Sequence, residues 1–272
     1  MLSADNDRNP DRNPERNPDK NSDRNSNRNQ LFYNINGGSS DFQVISFPYV
    51  GGYANSYQNL AKEFDHDVEF WVANPPGHGG SKLPLAENID DVVQQYADCA
   101  ARIIKPDCVF FGHSMGAVVA YCLANYFQTR KEDAIQPKAL VISASGTPGS
   151  WNSSYSKLSD DALVELMISF GAVAEELINE HDFLLSLAPV FRSDYRILES
   201  AAEKKLAPIS IPVFLLWGQN DKAVTLQDLL KWAECFTCNP MMWMIKNVSH
   251  MFVHTNADEV GRCIKYALNI PS

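Results

Sequence analysis

The chain has no long apolar run, and nothing in its 272 residues approaches the roughly 18 to 20 consecutive apolar positions of a membrane-spanning helix. Its first ten residues, MLSADNDRNP, hold no apolar stretch of the kind a secretory signal needs. Cysteine is sparse. The six cysteines, at 99, 108, 122, 235, 238 and 263, do not make a disulfide scaffold, and three of them fall inside apolar runs. A reducing, cytoplasmic setting is therefore expected. Basic residues are outnumbered 33 to 23, a formal charge of −10 with neutral histidines. On that balance neither nucleic acid nor an anionic membrane is expected as a partner. What is present is ordinary globular composition, 45% hydrophobic and 11% aromatic, enough for one large domain with a substantial core.

The apolar residues are unevenly spread. Residues 7 to 30 read DRNP DRNP ERNP DKNS DRNS NRNQ, a four-residue repeat without one apolar side chain. Such a segment cannot bury enough surface to offset the entropy of ordering its backbone, so residues 1 to 30 are expected to be disordered. Residues 1 to 30 hold six acids and six bases that cancel, which leaves the −10 on residues 31 to 272, the expected folded domain. From residue 42 onward, short apolar runs (FQVISF, VEFWVA, CVFFG, ALVIS, PVFLLW, MMWMI) alternate with longer helical patterns. That rhythm predicts a mainly parallel central sheet flanked by helices. Between ALVIS and PVFLLW the alternation stops. About sixty residues there carry helical signals and no strand, which predicts a helical lid insertion over residues 146 to 205. Its apolar residues, among them Leu163, Met167, Phe170, Phe183, Leu184 and Leu187, are candidates either for lining a channel or for packing on the sheet. MMWMI is expected to be a core strand.

Gly112-His113-Ser114-Met115-Gly116 follows the apolar run CVFFG and opens a helix rich in small residues, the strand, turn, helix setting of a GxSxG nucleophile elbow. A serine hydroxyl is a weak nucleophile and needs a base within hydrogen-bond reach. Six histidines compete for that role. His66 lies in a charged loop, His78 in PPGHGG, His113 inside the elbow with its side chain expected to point away, His181 in the lid insertion and His254 in the last helical segment. His250 follows the final strand in NVSH, where the chain order serine, acid, histidine of this architecture puts the base. The acid is expected at the end of an earlier strand, and WGQND supplies Asp221; the position after ALVIS, ASGTPG, has no carboxylate. A developing oxyanion needs two N–H donors. Met115 offers one, and the loop FPYVGG the other, from Val50 with Tyr49 as the alternative. No metal site is expected. HMFVH has the histidine spacing of a zinc helix but Met251 in place of the glutamate, and Cys235 and Cys238 lack a second ligand pair.

FPYVGG, PPGHGGS, GHSMG, RSDY, WGQNDKAV and VSHMF together resemble, in kind and in order, the type II thioesterases, stand-alone α/β hydrolases that accompany nonribosomal peptide and polyketide synthases. The resemblance spans about residues 42 to 268 and implies an α/β-hydrolase fold. It also implies hydrolysis of acyl thioesters on the phosphopantetheine arm of acyl or peptidyl carrier proteins, with Ser114 as nucleophile, His250 as base and Asp221 as acid. No cofactor is implied beyond the pantetheine that the partner carries, and a monomer is expected. Two features depart from the family pattern: the repetitive tail, and PPGHGGS where many members carry PGR. The readings that compete with it are a carboxylesterase for small esters and a non-catalytic binding module on the same fold.

Overall fold

The computed structural model describes residues 30–130, 136–151 and 154–269. The repetitive segment read as a disordered tail lies outside them, except for Gln30. Seven strands form one sheet: β1 (Phe32–Asn34), β2 (Phe42–Phe47), β3 (Glu69–Ala73), β4 (Asp107–His113), β5 (Ala139–Ser143), β6 (Val213–Gly218) and β7 (Met241–Ile245), in the order β1-β3-β2-β4-β5-β6-β7. Only β1 runs antiparallel to its neighbour. All other pairings are parallel, as βαβ crossovers require.

The alternation of side chains along each strand splits the core in two. Phe110, Leu140, Ile142 and Leu215 face α2 (Ile89–Ala100), α3 (Met115–Arg130) and the later half of α5 (His181–Ala202). Val109, Phe111, Val141 and Leu216 face α1 (Gln58–Ala61) and α8 (Ala257–Leu268). The mainly parallel sheet with helices on both faces is an α/β-hydrolase fold. The carboxyl ends of β2, β4, β5 and β6 are in register, with Phe47 beside Gly112, His113 beside Ser143 and Ser143 beside Leu216. Loops leaving these ends therefore emerge on one edge, the usual place for a ligand in such sheets.

Three elements differ from the sequence reading. β1 is three residues long, too short for a periodic signal. β7 is not a core strand: it pairs with β6 alone, and Met241, Met242 and Met244 are each about half exposed (49%, 48% and 46%). An apolar run reports hydrophobicity without saying how many neighbours a strand has. The helical signals on either side of RSDY merge into the single 22-residue helix α5, which continues through Pro189. With α4 (Asp160–Ser169) it makes up most of the regular structure between β5 and β6.

Candidate active site

The strand-to-helix turn after β4 is set by two glycines. A Cβ on Gly112 would lie 2.2 Å from the Gly116 carbonyl oxygen, and one on Gly116 would lie 1.9 Å from that of Phe47. No side chain fits at either place, so the first turn of α3 closes tightly on β4 and abuts the end of β2. Ser114, between them, has φ of 53°, a left-handed conformation that a serine adopts only under constraint. Its N–H donates to the Ser143 carbonyl at 2.8 Å, which ties the turn to β5.

The side chain of Ser114 reaches His250. Oγ lies 3.1 Å from His250 Nε2, and His250 Nδ1 lies 2.9 Å from Asp221 Oδ2. The other oxygen of Asp221 accepts the N–H groups of Ala223 (2.8 Å) and Val224 (3.0 Å), so the carboxylate cannot rotate away. All three residues are buried. Asp221 follows β6, while His250 lies between β7 and the short helix α7 (Phe252–Thr255). The fold thus brings Asp221 and His250, 29 positions apart, to a serine more than a hundred positions before either.

The remaining histidines have other partners. His113 is fully buried against the sheet, where its Nδ1 meets Ser143 Oγ at 2.9 Å; burial pushes its pKa well down, helped by nearby His250 and His254, and keeps the ring neutral. Its ring centre is 5.5 Å from that of His250, which it backs from the core side. His254 Nε2 pairs with the Tyr49 hydroxyl at 2.8 Å. The two histidines of HMFVH therefore serve different partners, and among the described residues no group of three or more His, Cys, Asp or Glu could hold a metal ion. His66 is exposed, and His181 pairs at the surface with Asp161.

After β2 the chain turns over residues 49–52, closed by the Gly52 N–H donating to the Tyr49 carbonyl at 2.8 Å. Gly51 has φ of 76° and Val50 is not left-handed, which makes this a type II turn. The N–H groups of Val50 and Met115 donate no hydrogen bond among the described residues, whereas that of Gly51 is taken by Asp194 at 2.7 Å. Val50 and Ser114 share a tight cavity of about 10 Å³, room for about one water molecule, whose wall includes Trp151, Phe170 and Tyr195. Beyond Tyr49, Val50 and Ala172 opens a groove of about 840 Å³, which runs past His78 and beneath Phe183, Leu187 and Phe191 of α5.

The phrase RSDY, prominent in the sequence without a role of its own, is where α5 fastens to the rest. Arg192 donates to the carbonyls of Ser156 and Leu158, Ser193 to that of Ala86, and the Tyr195 hydroxyl to the Met167 sulfur. Asp194 is fully buried and faces His78 Nε2 at 3.0 Å as well as the Gly51 N–H. The sequence offers His78 only as one of six candidate bases and Asp194 only as part of RSDY, and nothing in it pairs the two. The pair is 116 positions apart, and only the unusual PPGHGG loop pointed to His78.

Comparison with known proteins gives one result by several routes. The family described as Thioesterase domain matches residues 42–259. Thioesterase TesA of Mycobacterium marinum is 30% identical over 197 residues, covering 69% of this chain and 76% of TesA. Gramicidin S biosynthesis protein GrsT of Aneurinibacillus migulanus is 27% identical over 208 residues, 75% of this chain and 80% of GrsT. Among solved structures, the type II thioesterase BorB from the borrelidin biosynthetic cluster has a similar fold, with a TM-score of 0.78 at 23% identity over 88% of this chain and 97% of BorB.

Proposed function

The chain belongs to the thioesterase family, and from that premise we propose that it is an editing hydrolase that removes aberrant acyl or aminoacyl groups from the phosphopantetheine arm of synthase carrier proteins. One observation carries the reading: a serine held at positive φ has its Oγ 3.1 Å from a histidine whose far nitrogen is 2.9 Å from a fixed carboxylate.

In this mechanism Ser114 Oγ attacks the thioester carbonyl while His250 Nε2 takes its proton. Asp221 accepts the Nδ1–H of His250, which sets the tautomer that leaves Nε2 free and stabilises the imidazolium once it forms. The carbonyl oxygen becomes an oxyanion and is met by the free N–H groups of Met115 and Val50. As the tetrahedral intermediate collapses, the carbon–sulfur bond breaks and the pantetheine sulfur leaves with the proton from His250. Water, deprotonated by the same nitrogen, then attacks the Ser114 ester, and the bond to Ser114 Oγ breaks as that oxygen takes the proton back from His250. The products are a carboxylic acid and the free carrier thiol.

The groove of about 840 Å³ offers room beside the oxyanion turn for the acyl chain and the extended pantetheine, and the tight cavity beside Ser114 admits the reacting carbonyl. The helices between β5 and β6 act as the lid over both. The reaction needs no cofactor besides the pantetheine on the partner. A single subunit carries every group it uses, so the enzyme works as a monomer, in the cytoplasm with its synthase. Carrier docking cannot rest on net charge attraction if the carrier is acidic, because this chain is itself at −10.

Hydrolysis of an acetyl-loaded carrier protein should exceed that of nitrophenyl acetate in kcat/KM. It should also disappear with Ser114→Ala. A nitrophenyl ester turned over faster than every acyl carrier tested would instead make the protein a carboxylesterase.

A further inference from the structure

The buried pair His78 and Asp194 lies outside the three residues that carry the proposed chemistry, yet it touches the turn that supplies one oxyanion donor. Its hydrogen bonds constrain its protonation. The Pro76 carbonyl can only accept, so His78 Nδ1, 3.0 Å away, carries a proton. Nε2 then shares a second proton with Asp194 Oδ2. Burial lowers the pKa of His78, but the charge and hydrogen bond of Asp194, aided by the Pro76 carbonyl, outweigh it and leave the imidazole easier to protonate than an ordinary histidine. Tyr96 and Tyr195 also come close to the Asp194 carboxylate, and burial keeps both phenols protonated.

Such an arrangement is a poor stabiliser. Replacing a buried ion pair by apolar side chains is often neutral or favourable, and Asp194 Oδ1 makes no hydrogen bond among the described residues. What the pair does provide is direction. Asp194 Oδ2 accepts the Gly51 N–H, the donor of the central peptide of the turn at 49–52. A type II turn converts to type I by a flip of that central peptide. The flip would swing the Gly51 N–H away from Asp194. Phe191, three residues earlier on α5, closes the same position from the other side: a Cβ on Gly51 would lie 2.6 Å from its ring.

We propose that Asp194, oriented by His78, is a positioning residue that pins the Val50–Gly51 peptide of the turn at 49–52 and so holds Val50, whose own N–H lies on the preceding peptide, in place beside the oxyanion. The lock joins three segments: the loop holding His78, the turn after β2, and α5. The bond to Gly51 can be tested apart from the charge, because an amide oxygen accepts the same N–H without carrying a charge. In Asp194→Asn, an amide oxygen in the place of Oδ2 still accepts the Gly51 N–H, while a neutral His78 that keeps its Nδ1–H on Pro76 loses its bond to residue 194.

The inference rests on the reading of Ser114 as nucleophile with Val50 as an oxyanion donor. The experiment uses the full chain, with nitrophenyl acetate as substrate and active sites counted by complete labelling with a fluorophosphonate. Asp194→Ala should lower kcat per labelled site by about 10²- to 10³-fold, the usual effect of losing one oxyanion donor, with KM changed by less than about threefold. Its affinity for a trifluoromethyl ketone, which forms a tetrahedral oxyanion on the serine, should fall in parallel. Asp194→Asn should recover kcat to within about tenfold of the parent. If Asp194→Ala does not fold, His78→Phe stands in for it, with the same loss in kcat and inhibitor affinity expected.

Three results would overturn the proposal: a folded Asp194→Ala with parental kcat, a loss confined to KM, or an Asp194→Asn as impaired as the alanine variant. Absence of fluorophosphonate labelling in the parent would instead remove the nucleophile assignment. Labelling without carrier-thioester hydrolysis would remove only the proposed substrate.

Discussion

The sheet edge and the helical cover hold the site by different means. At the edge, backbone fixes everything: the Gly112 and Gly116 positions admit no Cβ, Ser114 is left-handed, and the strand ends are in register. On the cover, side chains do the fastening, most densely along the later half of α5, where Phe191, Asp194, Tyr195, Ile197 and Leu198 are buried. The earlier half buries only Leu184 and Ala188 and leaves Phe183 about half exposed. A backbone-built centre cannot be adjusted residue by residue, whereas a cover pinned at one end can change its free surface without disturbing the chemistry. Reactivity and access are thereby assigned to separate parts of the chain.

The sharpest contrast should come from the edge. Ser114→Ala should leave the fold intact and reduce turnover by a factor on the order of 10⁶, as in other serine triads. Labelled-site counts and far-UV circular dichroism on the same preparation check both halves of that statement. Asp221→Asn should cost about 10⁴ in kcat, because the imidazole loses its orienting acceptor while the oxyanion donors stay in place. If it proves as active as the parent, the centre is not ordered as described.

On the cover the expected effects are smaller and of another kind. Leu184→Ala should lose about 2 to 5 kcal/mol of stability by opening a void at a buried position, and Phe183→Ala, next to it but exposed, less than about 0.5 kcal/mol. Phe183 lines the large groove, so its substitution should instead change the preference between short and long acyl chains on carrier protein. Equal preference in stable variants at Phe183 and Leu187 would break the division between reactivity and access.

The smallest effect separates the two regions by pH. His113, at the edge, is held neutral by burial, so its contribution to stability is present above the ordinary histidine value and is lost as pH falls below it. His78, under the cover, has the opposite sign. Its raised pKa stabilises the fold below the ordinary value, and that contribution is lost as pH rises through the shifted one. Denaturant midpoints across this range should decline on both sides, and His78→Gln should flatten the alkaline side alone.

Much of the edge was legible in the sequence, since its constraints are local. Glycines flanking a serine between an apolar strand and a small-residue helix have a mechanical meaning without any knowledge of the rest of the chain. Asp221 and His250 could be singled out because each follows a strand, and the structure places both within hydrogen-bond distance of the chain that leads to Ser114. What escaped notice depended on distant contacts. The pairing of His78 with Asp194 has no spacing rule. MMWMI read as core because nothing in an apolar run tells a central strand from an edge one, and α5 read as two segments because the polar run RSDY interrupts the apolar pattern. The helical character of the segment between β5 and β6 was visible, but which half of it is anchored was not.

The left-handed serine sets this protein's stability against its activity. Glycine adopts φ of 53° freely, and a residue with a Cβ there costs on the order of 1 kcal/mol. A search of single substitutions for heat resistance alone would therefore favour glycine at position 114, and the improved protein would be inert. Selection for turnover must hold the chain at a point that selection for endurance would leave, and the shortfall has to be met by packing far from the elbow.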